Sequence, residues 1–332
     1  MRTERTTEES ITQIDAFAAS VLDGLQSNPK RLDSKYLYDD RGDALFREIT
    51  ELPEYYLTAC ELEILYARSH VILKDYEPGA PLDVVELGAG DGTKSAYLLE
   101  EALRRELDLK YIPIDISPSA LDRLSQQMVY QLPQLEVAPL CGDYLTSLHQ
   151  LHQKSSRPEL LLFLGSNIGN YRDGDAAALL GQLAQAMSPD DRILVGFDLR
   201  KDPAMIHRAY NDEAGLTREF NLNLLRRINR ELGADFDLDR FDHYEYYDPV
   251  AGEALSFLVS LSQQTVTVEA LEQTFPFSRD ELVHTERSRK YSSSEIETLA
   301  RRSGLAIVRA VYDSREYFTD ALMAKLPCAQ TE

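Results

Sequence analysis

The sequence LDVVELGAGDGTK occupies residues 82–94 and joins an apolar run to a glycine-rich turn. The apolar run, Leu82–Leu87, is long enough for a buried strand, and Gly88, Gly90 and Gly92 follow it at alternating positions. Glycine lets the backbone turn sharply and approach a bound group closely. A helical pattern begins directly after the third glycine, so this stretch predicts a strand, a ligand-binding turn and a helix in that order.

The residues downstream continue this alternation of short apolar runs and amphipathic segments, which is typical of a parallel sheet wound by helical crossovers. The predicted strands are Leu82–Leu87, Tyr111–Ile116, Leu135–Leu140, Leu160–Leu164 and Ile193–Phe197. The predicted helices between them are Lys94–Glu106, Pro118–Gln127 and Asp175–Met187. Near the end of the chain, Ser292-Ser293-Ser294-Glu295 predicts a capped helix to about Ser303, followed by strands at Leu305–Val311 and near Tyr317–Lys325. The predicted fold class is therefore α/β, with a doubly wound Rossmann-like core.

Two segments lie outside this alternation and predict a second, smaller α+β domain. Apolar residues at helical spacing predict a first helix from Ile11 to Leu25. Pro203–Leu232 has a helical pattern, and hairpin-like runs follow at Tyr244–Tyr247, Ala254–Leu261 and Thr265–Glu272. The predicted core comprises residues 61–200 and 281–332, and the predicted substrate-binding or cap domain comprises residues 1–60 and 201–280.

Composition limits the partners and compartments that fit the chain. Its 332 residues include 35 Lys and Arg against 56 Asp and Glu, a net charge of −21. Nucleic acid is disfavoured as a partner, because phosphate binding requires a basic surface. The cysteines Cys60, Cys141 and Cys328 are isolated, which fits a reducing, cytoplasmic setting without a metal site. The longest apolar run, Leu160–Leu164, is too short to span a membrane, and we expect a cytoplasmic monomer that acts on a small molecule.

Acidic and aromatic residues stand where the second and third predicted strands end, at the positions where a nucleoside would need them. Asp115 ends the second strand and can accept hydrogen bonds from both ribose hydroxyls. Asp143 and Tyr144 follow the third strand and offer a carboxylate for an adenine amino group and a ring for stacking. A lone Asp at a strand end is commonly a helix cap, but three consecutive strand ends with glycine or acid favour a ligand. The G-x-G-x-G spacing favours S-adenosylmethionine over the nicotinamide cofactors, whose fingerprint is G-x-G-x-x-G.

The chain resembles the histidine-specific Nα-methyltransferases that form hercynine, the first step of ergothioneine biosynthesis. The resemblance extends from about Leu37 to Lys325. Its strings are Leu52-Pro53-Glu54-Tyr55-Tyr56, Glu86-Leu87-Gly88, FLGSNIGN at residues 163–170, Arg208-Ala209-Tyr210, Ile228-Asn229-Arg230-Glu231-Leu232 and Thr285-Glu286-Arg287-Ser288. It implies a class I S-adenosylmethionine-dependent methyltransferase that places three methyl groups on the α-amino nitrogen of L-histidine.

The resemblance also implies roles for individual residues. The residues implied to contact the cofactor are Tyr38, Gly88, Lys94, Asp115, Asp143 and Tyr144. The residues implied to hold the amino-acid end of the substrate are Tyr55, Asn170 and Tyr210, of which Tyr55 and Asn170 aim the nitrogen lone pair as the catalytic residues. Glu286 and Ser288 are implied to hold the imidazole. The chain departs from the family pattern at Ser256, where a family representative has methionine, and a smaller side chain there leaves the strictness of histidine selectivity open.

From the residues alone, simpler interpretations of these positions stay open. The residues alone favour Tyr55 as a half-buried aromatic and Asn170 as a turn residue or helix cap, and they allow Lys94 as a solvated lysine and Glu286 as a surface ion-pair partner. Only the family resemblance reverses this preference. Three alternative functions stay open as well: the same transfer to another amino acid such as tryptophan, an NAD-dependent oxidoreductase, and a noncatalytic S-adenosylmethionine-binding regulator.

Overall fold

The computed structural model describes residues 15–90, 92–152 and 157–327. Ile11, where the predicted first helix begins, and Cys328 lie outside the described residues. The chain divides into two compact units. The large unit lies within Leu57–Arg200 and Arg289–Glu332, and the small unit lies within Met1–Tyr56 and Lys201–Ser288. The units divide after residues 56, 200 and 288, whereas the predicted domain boundaries follow residues 60, 200 and 280.

Strands and helices alternate along the large unit, and the segment Lys201–Ser288 of the small unit interrupts them. The strands are β1 (Pro81–Leu87), β2 (Asp108–Asp115), β3 (Glu136–Val137), β4 (Leu140–Cys141), β5 (Glu159–Phe163), β6 (Arg192–Asp198), β7 (Phe241–Asp248), β8 (Glu253–Ser260), β9 (Gln264–Val268), β10 (Gln273–Phe277), β11 (Leu282–Arg289), β12 (Leu305–Tyr312) and β13 (Phe318–Lys325). The helices are α1 (residues 15–26), α2 (Asp40–Thr50), α3 (Tyr56–Ile72), α4 (Thr93–Arg104), α5 (Pro118–Gln131), α6 (Tyr144–His152), α7 (Asp173–Ala186), α8 (Pro203–Ala209), α9 (Leu216–Leu232) and α10 (Ser293–Arg302).

An eight-stranded sheet forms the centre of the large unit. Its order is β12-β13-β6-β5-β1-β2-β3, with β4 paired to β2. The pairs among β1 to β6 are parallel, and β13 runs antiparallel to β6 and β12. All five residues of β5 are buried, as expected for a strand with both faces of its sheet covered. One face packs in a single apolar core with α6, α7 and α10. The predicted doubly wound α/β core is therefore confirmed.

The predicted third strand, Leu135–Leu140, is wrong as a continuous element. The structure has the two-residue strands β3 and β4 there, separated by Ala138 and Pro139. Proline has no amide hydrogen and cannot continue a ladder of hydrogen bonds, so pairing with β2 stops and then resumes at Leu140. The second pairing places Cys141 opposite Asp115. Gly142 and Asp143 consequently follow directly beside the end of β2.

The small unit combines short β-sheets with helices around its own apolar core. Three strands pair in the order β11-β8-β7, and β9 pairs with β10. Buried and half-buried residues alternate along β8, so one face of its sheet is more deeply buried than the other. Residues of α1, α2 and α9 join the buried side chains of the strands in one cluster. Because β11 pairs with β8, the segment Thr285–Ser288 belongs to this unit.

The helical pattern predicted over Pro203–Leu232 is present as two separate helices, α8 and α9. Gly215 has a φ of 75°, in the left-handed region that glycine adopts without steric cost. The Asp212 carboxylate accepts hydrogen bonds from the amides of Leu216 and Thr217, both at 2.8 Å, and so begins α9 anew. The runs predicted at Tyr244–Tyr247 and Ala254–Leu261 correspond to β7 and β8. The run predicted at Thr265–Glu272 is β9 followed by a 3-10 turn.

Candidate functional site

The glycine-rich turn after β1 requires glycine at three positions. Gly88, Gly90 and Gly92 have φ values of 70°, 56° and 70°. Residues with side chains are strained in this left-handed region. A Cβ at Gly88 would lie 2.7 Å from the hydroxyl oxygen of Tyr144, and one at Gly92 would collide with the side chain of Met128. Gly88 and Gly92 therefore leave room for the side chains of Tyr144 and Met128 beside the turn.

The predicted nucleoside residues lie at the ends of neighbouring strands in the large unit. The register places Leu87 opposite Ile114 and Asp115 opposite Cys141, so Gly88, Asp115 and Asp143 follow three adjacent strand ends. The Asp115 carboxylate is half-exposed and accepts a hydrogen bond from the Ser117 amide at 2.9 Å. The structure thus brings these residues to one edge of the sheet, where ligands bind in open α/β folds.

Asp143 and Tyr144 begin α6, and each has a local structural role as well. The Asp143 carboxylate accepts a hydrogen bond from the Thr146 amide at 3.0 Å, and this bond lowers the pKa of the carboxyl below its usual value. The ring of Tyr144 packs edge-on against Phe163, with 6.1 Å between ring centroids. Burial raises the pKa of the Tyr144 hydroxyl, which therefore stays protonated at neutral pH. Asp143 is exposed, so its capping role leaves the carboxylate accessible.

Lys94 lies in the first turn of α4 and is not a solvated surface lysine. Its ammonium donates to the Glu61 carboxylate at 2.6 Å, and the Glu61 side chain is almost fully buried. Desolvation lowers the pKa of Lys94, but the charge and hydrogen bond of Glu61 outweigh it, and the pKa is raised. The Lys94 ammonium would lie 3.1 Å from a Cβ at Gly165. Lys94 therefore stands between the glycine-rich turn and the turn that follows β5.

Asn170 ends a 3-10 turn, Asn167–Asn170, that follows β5. Gly165 and Ser166 precede this turn with φ values of 77° and 55°, a strained conformation for the serine. The Ser166 hydroxyl accepts a hydrogen bond from the Asp198 amide at 3.0 Å, which fixes the turn to the end of β6. Asn170 itself is half-buried. The turn consequently lies at the same edge of the sheet as the strand ends that carry Asp115 and Asp143.

The other predicted site residues lie in the small unit, where contacts connect most of them. The ring of Tyr38 packs against Phe46 and Phe220, with centroids 5.5 and 5.4 Å away. Phe46 packs against Tyr55 at 6.1 Å, and Tyr55 packs against Tyr210 at 6.0 Å. The structure therefore joins these tyrosines in a continuous run of edge-to-face aromatic contacts.

The hydroxyl of Tyr210 extends this run to β11. Its oxygen lies 2.7 Å from the Ser288 hydroxyl, and both residues are buried. Glu286, on the same strand, is half-buried. Desolvation first, and the nearby Glu286 carboxylate second, raise the pKa of Tyr38 well above its ordinary value, although 36% of the residue's surface is exposed. The structure thus brings Tyr38, Tyr55, Tyr210, Glu286 and Ser288 together within one unit.

A family model described as histidine-specific, S-adenosylmethionine-dependent methyltransferase matches residues 17–325. The chain belongs to this family. The histidine N-α-methyltransferase of Mycobacterium tuberculosis is 37% identical over 310 residues, which are 93% of this chain and 95% of that protein. The enzyme of the same name from Mycolicibacterium smegmatis is 37% identical over 291 residues, 88% of this chain and 89% of that protein. The ergothioneine biosynthesis protein 1 of Neurospora crassa is 33% identical over 297 residues, 88% of this chain and 33% of that protein.

As a member of the histidine-specific methyltransferase family, the protein is an enzyme that uses S-adenosylmethionine. The residues at the strand ends fit the nucleoside of this cofactor. The turn at Gly88 and Gly90 exposes backbone without side chains, and Asp115 presents a half-exposed carboxylate beside it. The contacts of individual residues with the cofactor stay predictions.

Ser256 is the position at which the sequence departs from the family pattern. The residue is buried, and its hydroxyl donates to the Glu245 carboxylate at 2.8 Å. Its carbonyl accepts a hydrogen bond from the Thr285 hydroxyl at 3.1 Å, so Ser256 lies beside the strand that carries Glu286 and Ser288. The sequence shows that the side chain of Ser256 is small, but it does not show that the buried carboxylate of Glu245, on β7, lies beside it.

Among the buried acids of the large unit that are not predicted from the sequence, three lie in the part of the molecule that carries Lys94. They are Glu61 on α3, Glu86 on β1 and Asp320 on β13. Burial depends on the sheet register, so the local signal is weak: Glu86 and Asp320 each lie inside a mostly apolar strand, and Glu61 lies on a helix. Among the described residues, no group of three or more His, Cys, Asp and Glu side chains is placed to hold a metal ion. None of the helices in the same residues combines the length and apolar character needed to cross a membrane.

Proposed function

We propose that the protein transfers three methyl groups from S-adenosylmethionine to the α-amino nitrogen of L-histidine and so forms hercynine for ergothioneine biosynthesis. The observation that carries the proposal is the family match over residues 17–325. The names of the relatives from the two mycobacteria and Neurospora crassa agree with it. The polar groups of β11 in the small unit support an imidazole as the substrate side chain.

Glu286 and Ser288 are suited to select a ring that donates a hydrogen bond. A carboxylate accepts from an imidazole N–H, and a hydroxyl can donate or accept as the ring requires. The hydrogen bond between Tyr210 and Ser288 orients the serine hydroxyl and ties it to the aromatic run that contains Tyr55. A site built to pair with a ring N–H discriminates against side chains that lack one, because its polar groups are then left unpaired.

The reaction demands little acid or base chemistry from the protein. The cofactor supplies an activated methyl group on its sulfonium, so the protein mainly orients a neutral amine for in-line attack. A free α-amine is largely protonated at neutral pH, and we propose that its proton leaves through water. The raised pKa of Tyr38 keeps its hydroxyl protonated, so this residue contributes a hydrogen-bond donor and an aromatic face rather than a base. Aromatic faces also accommodate the trimethylammonium product. The orienting roles of Tyr55 and Asn170 stay predictions of the resemblance.

Product analysis of the purified enzyme tests the proposed function. Incubation with labelled S-adenosylmethionine and a panel of free amino acids is expected to give mono-, di- and trimethylated histidine by mass spectrometry. Glu286→Gln is expected to raise the KM for histidine by roughly tenfold to a hundredfold, because glutamine keeps an acceptor oxygen but loses the charge that strengthens the hydrogen bond. The Kd of S-adenosylhomocysteine, measured by calorimetry, should stay within about twofold.

Glu253→Gln provides the matched control, since Glu253 is a half-buried acid on β8 that forms an ion pair with Arg287 at 3.0 Å. The control should retain the wild-type KM for histidine. Methylation of tryptophan in preference to histidine would show that tryptophan is the substrate. If no free amino acid is methylated, the proposed function is refuted. The expectation of a cytoplasmic monomer stays a prediction, which light scattering tests for the oligomeric state.

A further inference from the structure

A polar cluster formed by Glu61 of α3, Lys94 of α4 and Asp320 of β13 lies in the large unit. Asp320 of β13 pairs directly opposite Gly196 of β6. Side chains of directly opposed residues point to the same face of a sheet. A Cβ at Gly196 would collide with the Glu61 carboxylate, so that carboxylate occupies the space above Gly196 and beside Asp320. The missing side chain at Gly196 therefore makes room for two neighbouring acids on one face.

Glu61 is bonded through both of its carboxylate oxygens. One oxygen accepts from the Gly165 amide at 2.7 Å, and the other accepts from the Lys94 ammonium at 2.6 Å. Gly165 belongs to the turn after β5, and Lys94 belongs to the first turn of α4. The Glu61 side chain is 1% exposed, and its two hydrogen bonds connect these two turns.

Asp320 differs from Glu61 because neither of its oxygens has a hydrogen-bond partner among the described residues. The residue is fully buried, with 0% of its surface exposed. An ionised carboxylate without partners is costly in such a place, and the group becomes neutral instead. Burial first, and the charge of Glu61 second, raise the pKa of Asp320 well above its ordinary value, with Lys94 opposing them. Burial without hydrogen-bond partners thus favours the neutral form of Asp320, whereas Glu61 forms the ion pair with Lys94.

We propose that Glu61 is a positioning residue that holds the Lys94 ammonium toward the carboxylate of the cofactor's methionine portion, with neutral Asp320 preserving a single counter-charge beside Lys94. This inference rests on the proposed cofactor contact of Lys94. An ammonium is suited to a carboxylate as a compact point charge, but a lysine side chain is flexible and gains from a fixed partner. A second ionised acid beside this ion pair would give the cluster a net negative charge and weaken its attraction for the ligand carboxylate.

Comparing the binding of two nucleosides distinguishes a loss of Lys94 positioning from general damage to the cofactor site. S-adenosylhomocysteine carries the amino-acid portion, whereas 5′-methylthioadenosine lacks it. Glu61→Gln is expected to weaken S-adenosylhomocysteine roughly tenfold by calorimetry, because the charged hydrogen bond to Lys94 is lost while the glutamine oxygen still accepts from Gly165. Binding of 5′-methylthioadenosine should stay within about twofold, which also reports that the variant is folded. If Glu61 acted only through its charge, its removal would strengthen binding of the carboxylate ligand, and that result would overturn the proposal.

Asp320→Asn tests whether Asp320 is neutral. Asparagine is an uncharged isostere, so the affinity for both ligands should stay within about twofold of wild type. A roughly tenfold gain in affinity for S-adenosylhomocysteine in Asp320→Asn would show that Asp320 is ionised in the wild type and would overturn its assigned role.

A variant of Lys94 and a control on α3 complete the design. In a Lys94→Met background, Glu61→Gln should cause no further loss of affinity for S-adenosylhomocysteine. A loss as large as that in the wild-type background would overturn the positioning role, even if the single variants are unstable. Glu63→Gln is the matched control, because Glu63 lies on the same helix and accepts from the Ser314 amide at 2.8 Å. Failure of wild-type protein to bind S-adenosylhomocysteine would refute the proposed function, whereas wild-type binding with Glu61→Gln equal to the control would refute this inference alone.

Discussion

At the scale of single residues, the ion pair between Lys290 and Asp198 makes the sharpest prediction about stability. The two charged groups lie 2.8 Å apart, and both side chains are fully buried. Lys290→Met leaves an uncompensated carboxylate in the interior and is expected to lower the free energy of unfolding by about 3–5 kcal/mol in urea denaturation. Lys110→Met is the control, since Lys110 pairs at 2.9 Å with Glu136, which is 67% exposed, and it should cost under about 1 kcal/mol. Equal losses in the two variants would contradict the prediction.

Residues of the site differ in how far the sequence predicts them. The glycines after β1 and the acid that ends β2 are local signals, because a turn or a strand end demands particular residue types within a few positions. The bond between Lys94 and Glu61 joins residues 33 positions apart on different helices. Nothing at Lys94 itself distinguishes it from a solvated lysine, so its burial and partner follow only from the packing of α3 and α4 on the sheet. The same holds for Ser256, whose partner Glu245 is fixed by the register of β7 and β8.

At the scale of elements, the start of α9 depends on one carboxylate. Asp212 accepts from two amides of the first turn, and although burial opposes this, the hydrogen bonds from Thr217 and Leu216 lower the pKa of the carboxyl. Asp212→Ala is expected to lower the free energy of unfolding by about 1–2 kcal/mol at pH 7. This stabilisation is present above the pKa of the unfolded chain, near 3.8, and is lost as pH falls through the lowered folded value. Glu213→Ala, at an exposed neighbour, should cost under about 0.5 kcal/mol in the same urea titration. A loss in Asp212→Ala that stays unchanged as the pH falls progressively below 3.8 would contradict the capping explanation.

Elements were predictable where hydrophobic periodicity and punctuation agree. The strands β1, β2, β5 and β6 are short apolar runs between turns, and α10 opens with a capping box formed by Ser292 and Glu295, as predicted. The prediction of a continuous third strand fails at Pro139, which separates β3 from β4, and the helical pattern over Pro203–Leu232 is divided before α9 by Gly215. β11 was outside the predicted strands because its residues, LVHTERSR, mix charges with few apolar side chains and match no strong strand pattern. Its pairing with β8 is a tertiary property, and that pairing assigns Glu286 and Ser288 to the small unit.

At the scale of the whole molecule, the insertion of α8 to β11 between β6 and α10 explains why the chain forms two units. The sheet of the large unit resumes only at β12 and β13, and β13 pairs antiparallel with β6 across that long insertion. The sheet therefore closes with residues more than a hundred positions apart, and Asp320 enters the buried face by this pairing. Buried acids of this sheet, such as Asp320 on β13 and Glu86 on β1, should therefore make the stability of the large unit depend on pH.

Glu86 makes that dependence measurable. Burial raises the pKa of this carboxyl to about 7, although the hydrogen bond from Tyr111 and the charge of Lys94 lower it. Between pH 4.5 and 7 the folded protein therefore holds a proton that the unfolded chain has released, and the free energy of unfolding falls as pH rises through this window. Glu86→Gln removes this contribution, so its melting temperature should decline less than that of wild type between pH 5 and pH 8, whereas exposed Glu136→Gln should follow the wild-type profile. Parallel profiles for wild type and Glu86→Gln would show that Glu86 is ionised throughout this range in the folded protein.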